Sequence, residues 1–170
     1  MEPGPAFGEL FQTFEHTAFR LEVRDRYNAP YEVESLRKFL AGEPDELVWM
    51  DTWLDIVREA AAAGRRFARV RVVSRPMTDY QRFSHTLAKR NNAAGEDIRY
   101  LDRDQAEPAG LPDHDYWLFD SHKLAIMHFA EDNRFEGAEI IEDPAVIVQH
   151  NYWRDVAWHH AARRDDFATD

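Results

Sequence analysis

Leu111-Pro112-Asp113-His114-Asp115-Tyr116-Trp117-Leu118-Phe119-Asp120 is the stretch on which the fold turns. Tyr116 to Phe119 are aromatic or aliphatic without a break, the pattern of a strand covered on both faces. Asp120-Ser121 stops the run with turn-forming side chains, so Asp120 is expected where a strand leaves the core. An acid in that position marks a candidate functional edge.

Working upstream, Phe7, Leu10, Phe11 and Phe14 recur at helical spacing after Pro3-Gly4-Pro5, which predicts a short amphipathic helix lying as a lid on the core. Thr17 to Arg24 alternates, with Phe19, Leu21 and Val23 on one face and Arg20, Glu22 and Arg24 on the other, as in a half-buried strand. Val33, Leu36, Phe39 and Leu40 predict a second helix closed by Gly42, and Leu47, Met50, Trp53, Leu54, Val57 and Ala61 a third, closed by Gly64. Phe67 to Val73 reads as a strand. Thr78 and Gln81 form a capping box that starts a fourth helix near Asp79, running to Asn91 or Asn92 before Gly95 and a strand over Ile98 to Leu101. This alternation predicts right-handed crossovers and neighbouring parallel strands.

Downstream, Tyr116 to Asp120, Leu124 to Phe129 and Phe135 to Ile141 read as strands, with a hairpin turn at Asp132-Asn133. Asp143-Pro144 opens the last helix, with Val146, His150, Trp153, Ala157 and Ala161 on its buried face. The expected fold is α/β, with α+β as the alternative: a mixed sheet flanked by helices in one domain, residues 1–170. Trp53, Val57, Val70, Val72, Ile98, Leu118 and Trp153 are expected in a single core.

The 170 residues are 44% hydrophobic and 31% charged, enough for one core of ordinary size. No cysteine is present, which excludes disulfides, thiol catalysis and cysteine metal sites and fits a reducing cytoplasm. No run approaches the ~18 apolar residues of a membrane span, and Met1-Glu2-Pro3-Gly4-Pro5 lacks the basic start of a signal peptide. A cytoplasmic protein without membrane partners is expected. The formal charge of -11 disfavours direct binding to nucleic acid, because phosphate contacts require Lys and Arg. Arg65, Arg66, Arg69, Arg71 and Arg75 are the local exception. Residues 69 and 71 share one face of a strand, and the cluster reads as a solvated face or as internal ion pairing, with a phosphate site as the alternative.

No complete catalytic motif appears. The eight histidines have no metal-ligand spacing, the serines lack a glycine-flanked elbow, and no glycine-rich phosphate loop exists, so neither metal nor cofactor is expected. The remaining constellation joins three segments at element ends: Asp79, Tyr80 and Arg82; Glu96 and Arg99; Asp113, Asp115 and Asp120. In an open α/β sheet such ends converge and pockets form there. These residues are the candidates for a ligand or partner site, against the alternative of a structural network in which Asp120 pairs with Arg71, Arg82 or Arg99.

Two resemblances add to this. His16-Thr17-Ala18-Phe19-Arg20-Leu21-Glu22, Val70-Arg71-Val72-Val73-Ser74, Thr78-Asp79-Tyr80, Ala94 to Leu101, Leu111-Pro112, Trp117 to Ser121 and Arg154-Asp155 resemble an uncharacterised actinobacterial family encoded beside helix-turn-helix regulators of the WhiJ type. That resemblance implies a non-enzymatic regulatory or interaction module whose partner is such a regulator; a small-molecule binder or enzyme, and a toxin or antitoxin component, are the other readings. The order of elements after Trp53 is also similar to half of a phospholipase D-type domain. Its HxKx4D motif is replaced here by Asp113, Asp115 and Asp120, and two aspartates would repel a phosphodiester.

Overall fold

A computed structural model describes residues 5–170; the Met1 to Gly4 stretch, read above for a leader, lies outside them. The first half carries helix α1 (Pro5–Thr13), strand β1 (Thr17–Glu22), helices α2 (Val33–Ala41) and α3 (Asp51–Ala62), strand β2 (Arg66–Val73) and helix α4 (Asp79–Ala94). Strand β3 (Asp97–Asp102), a short helix α5 (Arg103–Ala106), strands β4 (Tyr116–Phe119), β5 (Lys123–Phe129) and β6 (Phe135–Ile141), helix α6 (Pro144–His160) and a two-residue strand β7 (Ala162–Arg163) follow.

The local signals act where the chain places them. Thr78 Oγ1 accepts from the Gln81 amide while the Gln81 side chain accepts from the Thr78 amide, so both halves of the capping box are made. Asp143 accepts from the amides of Ala145 and Val146 at the start of α6. Gly95 ends α4 at φ 120°, and a Cβ there would lie 2.8 Å from Ala61 Cβ, so this glycine serves both backbone and packing. The third helix begins later than its apolar stripe implies. Leu47 sits in the left-handed region at φ 56° and a 3-10 turn occupies Val48–Met50, so regular helix starts only at Asp51.

The described residues form a sheet of seven strands in the order β6-β5-β4-β1-β2-β3-β7. β1, β2 and β3 are parallel, joined by helical crossovers; β4, β5, β6 and β7 are antiparallel to their neighbours. It is a mixed α/β sheet flanked by helices. β4 lies inside it with all four residues buried, as an unbroken apolar run requires.

The expectation of one core is corrected. A sheet covered on both faces divides its apolar residues by parity. Phe67, Trp117, Phe119 and Val57 pack together with Trp53 under α1 to α4, whereas Val70, Val72 and Leu118 pack on the opposite face with Ile147 and Ala157 of α6. Ile98 belongs to a third group with Val73, Met77 and Tyr100. Trp153 is half-buried against His114 and His150, and the buried Ile147 joins the partly buried Val146 on the inward face of α6.

Candidate functional site

Alternation along β1 and β2 puts Ala18, Arg20 and Glu22 beside Phe67, Arg69 and Arg71 on the sheet face that α3 and α4 cover. Register pairs Arg20 with Arg69, Glu22 with Arg71, and Arg20 on its other side with Trp117. This face therefore changes character along the strands: Ala18, Phe67 and Phe119 are apolar, and charge begins two residues on, toward the carboxyl ends of the parallel strands. There a cleft of about 810 Å³ opens, with Arg20, Glu22, Arg69 and Arg71 in its floor and Trp49, Trp53, Trp117, Tyr27 and Tyr80 in its walls. β1 is also where the sheet reverses direction of growth, because β2 and β3 extend on one side of it and β4 lies on the other. Pockets in open α/β sheets form at such switch points, beyond the carboxyl ends of the strands.

The floor is an ion-pair network. Glu22 Oε2 accepts from Arg71 Nε at 2.6 Å and lies 3.9 Å from Arg69 Nη1, while Oε1 lies 3.5 Å from Arg20 Nη2. Arg20 Nη2 also donates to Asp115 Oδ2 at 3.2 Å. Arg69 Nε donates to Glu96, whose Oε1 accepts from Trp53 Nε1 and Asn91 Nδ2, each at 3.0 Å. The Arg69 guanidinium stands 5.2 Å from the ring centroids of both Trp53 and Trp117, within reach of a cation–π attraction. Arg71 Nη1 donates to Tyr100 and to the Ser84 carbonyl.

These partners set the protonation states. Burial pushes Glu22 up, but Arg20, Arg71 and Arg69 together outweigh it and hold the carboxyl at about 2. Burial works against the charge on Arg20, and Glu22, Tyr27 and Asp115 reverse that effect and raise its pKa. Asp115 is raised by burial, against the pull of Arg20, the Tyr27 hydroxyl and the Val23 amide. Burial, then Asp115, raises Tyr27; burial, then Glu32, raises Tyr80, so both phenols stay protonated.

Donors and acceptors are unequally used. Asp115 accepts from Val23 N, Arg20 and Tyr27, and Glu96 from Arg69, Trp53 and Asn91. Among the described residues, Arg20 Nε is buried without a partner, and Arg20 Nη1 and Arg71 Nη2 donate to no protein atom. The spare donors of the floor belong to guanidinium groups, while Glu22 Oε1 takes part only in the 3.5 Å ion pair with Arg20.

The three segments nominated by sequence do not converge as a set. Tyr80, Glu96 and Asp115 reach the cleft or the network beneath it. Asp79 and Arg82 form an exposed pair one turn apart on α4. Arg99 bonds Asp97 and stacks 4.0 Å from the Trp158 ring, on the face covered by α6. Asp113 is exposed ahead of β4.

Asp120 lies at the far end of β4, and the expected pairing with Arg71, Arg82 or Arg99 is corrected. Its carboxylate accepts from the backbone amides of Glu15, His16 and Thr17 at 2.8, 2.7 and 3.0 Å, which ties the turn after α1 to the end of β4. Missed altogether as site residues were Arg20 and Glu22, assigned to the polar face of β1, together with Tyr27 and Trp117. The available signal was an Arg-x-Glu in one strand and an Arg-x-Arg in the next.

His114 Nε2 and His150 Nε2 lie 2.9 Å apart on the opposite side of the molecule's sheet from this cleft, beside Trp153. Among the described residues no group of three or more His, Asp or Glu side chains is placed to hold a metal ion. No described helix is long and apolar enough to cross a membrane.

No curated protein matches the chain. Residues 5–169 match the family described as Domain of unknown function (DUF6879), almost the whole chain, and on that match the protein belongs to this family.

Proposed function

We propose that the domain binds a small molecule in the cleft over Arg20, Arg69 and Arg71. The observation that carries this reading is a preformed cavity of about 810 Å³, apolar in its walls, whose floor holds guanidinium donors with no protein partner. Ligand sites have volumes of about 300–1,000 Å³ and combine aromatic walls with a few convergent polar groups. Binding is favoured over turnover because, among the described residues, no histidine, lysine or cysteine lines the cleft, and its two glutamates are engaged, Glu22 by Arg71 and Glu32 by the Tyr80 hydroxyl. Phosphodiester chemistry finds no support in the aspartates that stand in the phospholipase D positions: Asp115 is held by Arg20 and Tyr27, and Asp120 by backbone amides.

The partnership with a helix-turn-helix regulator and an actinobacterial setting rest on the family resemblance, and a cytoplasmic setting on the cysteine-free composition. In this proposal the ligand-filled cleft is what the regulator reads. A thermal-shift screen of small molecules tests the binding step. A ligand at about a hundred times its dissociation constant stabilises by about 2.7 kcal/mol, a rise of about 5–10 °C for a domain of this size. Ser84→Phe, which fills the cleft from α4, should abolish the rise. A screen without any stabilising compound, or a rise that persists in Ser84→Phe, refutes the reading. Co-purification with the neighbouring regulator, with and without the compound found, tests the second step.

A further inference from the structure

The distribution of unused hydrogen-bonding groups narrows the ligand. We infer that the cleft selects a flat aromatic ring system carrying a single negative charge, such as an aryl carboxylate; this rests on the binding reading above. The ring follows from the walls. The Arg69 guanidinium lies over the Trp53 and Trp117 rings and that of Arg20 over the Tyr27 ring, Tyr80 lies beside Tyr27 with ring centroids 6.0 Å apart, and Tyr31, exposed at the mouth, lies 5.1 Å from the Trp49 ring. Flat surfaces of this kind bury a planar ligand at little cost in side-chain entropy.

The negative charge follows from the floor. The oxygens of Asp115 and Glu96 are occupied by fixed donors, and of the two carboxylates that line the cleft Glu22 is held by Arg71 and Arg20 and Glu32 by the Tyr80 hydroxyl, so a cationic ligand would have to displace one of these partners. The groups without a hydrogen-bond partner are Arg20 Nε and Nη1 and Arg71 Nη2, which only donate, and Glu22 Oε1, which already faces Arg20 Nη2 at 3.5 Å. Forked donors of this type favour carboxylates.

The charge is single because the floor is already balanced. Arg20, Arg69 and Arg71 face Glu22, Glu96 and Asp115. One carboxylate can be met by the unpartnered Arg20 and Arg71 donors; the second charge of a dianion would find neither a free donor nor an unpaired cation, a costly arrangement.

The test compares four probes that share one ring system by calorimetry on the wild-type chain: 2-naphthoate, 2-naphthylmethanol, 2-naphthylmethylammonium and 2-naphthyl phosphate. Naphthoate should bind about tenfold to a hundredfold tighter than the alcohol, the range of hydrogen bonds to a charged group, and tighter than the ammonium or the phosphate. Arg20→Lys keeps a charge opposite Asp115 but removes both unpartnered nitrogens, and should cut the preference for naphthoate over the alcohol at least threefold. Because that readout is a ratio, partial loss of folded protein leaves it intact. Equal or tighter binding of the alcohol or ammonium overturns the anion assignment, and tighter binding of the phosphate overturns the single charge, with the binding reading standing in each case. Binding of none of the four overturns this inference, and the compound screen decides the broader reading separately.

Discussion

Asp120→Asn isolates the part played by the acid at the end of β4. Asp120 has φ 52°, a left-handed conformation that Asn tolerates nearly as well as Asp, so the substitution leaves the backbone cost unchanged where Ala would add to it. Oδ1 accepts from His16 and Thr17, and an asparagine oxygen in that place keeps both bonds in weaker, neutral form. Oδ2 accepts from Glu15 at 2.8 Å, and there the new amide sets a donor against a donor.

Losing one charge-assisted bond costs about 1.5–3 kcal/mol. Glu15 and His16 are solvent-exposed, so water replaces part of it, and the expected total is about 2 kcal/mol, or about 4–8 °C in melting temperature. Backbone donors hold the Asp120 carboxyl below its ordinary pKa against the effect of burial. A lowered folded pKa means that the stabilisation is present above the unfolded value of about 3.9 and is lost as pH falls through the folded value. The gap between wild type and Asp120→Asn in urea unfolding should therefore be constant near neutral pH and close in acid. A loss below about 0.5 kcal/mol, the ordinary range for a surface change, would refute the reasoning. So would a fully stable variant that fails to bind ligand, since that would return Asp120 to a site.

Three further outcomes are expected. Trp53→Ala and Leu118→Ala should cost about 3–5 and 2–5 kcal/mol, and because the residues pack in separate clusters on opposite faces, the double variant should be additive within about 0.5 kcal/mol by denaturant titration. Burial lowers the pKa of His114, with His150 as a second cause, and burial lowers that of His150; stability should be full above about pH 6.5 and fall below it, with a shallower slope in His114→Gln/His150→Gln. Gly95→Ala combines φ 120° with a Cβ 2.8 Å from Ala61 Cβ and should destabilise by about 1–3 kcal/mol, with Ala61→Gly recovering only the steric share.

Periodicity carried most of the fold because each element's pattern is local. The uninterrupted Tyr116 to Phe119 run marked an interior strand, and Thr78 and Gln81 marked a helix start, from nearest neighbours alone. The two-residue β7 and the single turn of α5 are too short to display a period. The site was hidden for a different reason. Alternation in Arg20-Leu21-Glu22 shows that the two faces of β1 differ, but not that both are covered; a charged face was read as a wet one. Arg69 and Arg71 were recognised as sharing a face with internal ion pairing as one option, yet their partners Glu22 and Glu96 lie far away in sequence and become neighbours only through parallel register. Asp113 and Asp120 drew attention by flanking an apolar run, which is a property of strand ends whether or not a ligand binds there.

The position of β1 between β2 and β4 carries a consequence for how the chain matures. Thr17–Glu22 is made early, but its second neighbour, Tyr116–Phe119, is about a hundred residues further on. At about 5–20 residues per second, a nascent chain spends several seconds with β1 supported on one edge only. During that interval Arg20 has neither Asp115 nor Trp117 beside it, and the aromatic surface under α1 and α3 has no lid from β4. The cleft is thus completed only once β4 has been made, and conditions that slow translation after Arg99 should lengthen the time in which the growing chain is open to proteolysis and to association through that unfinished edge.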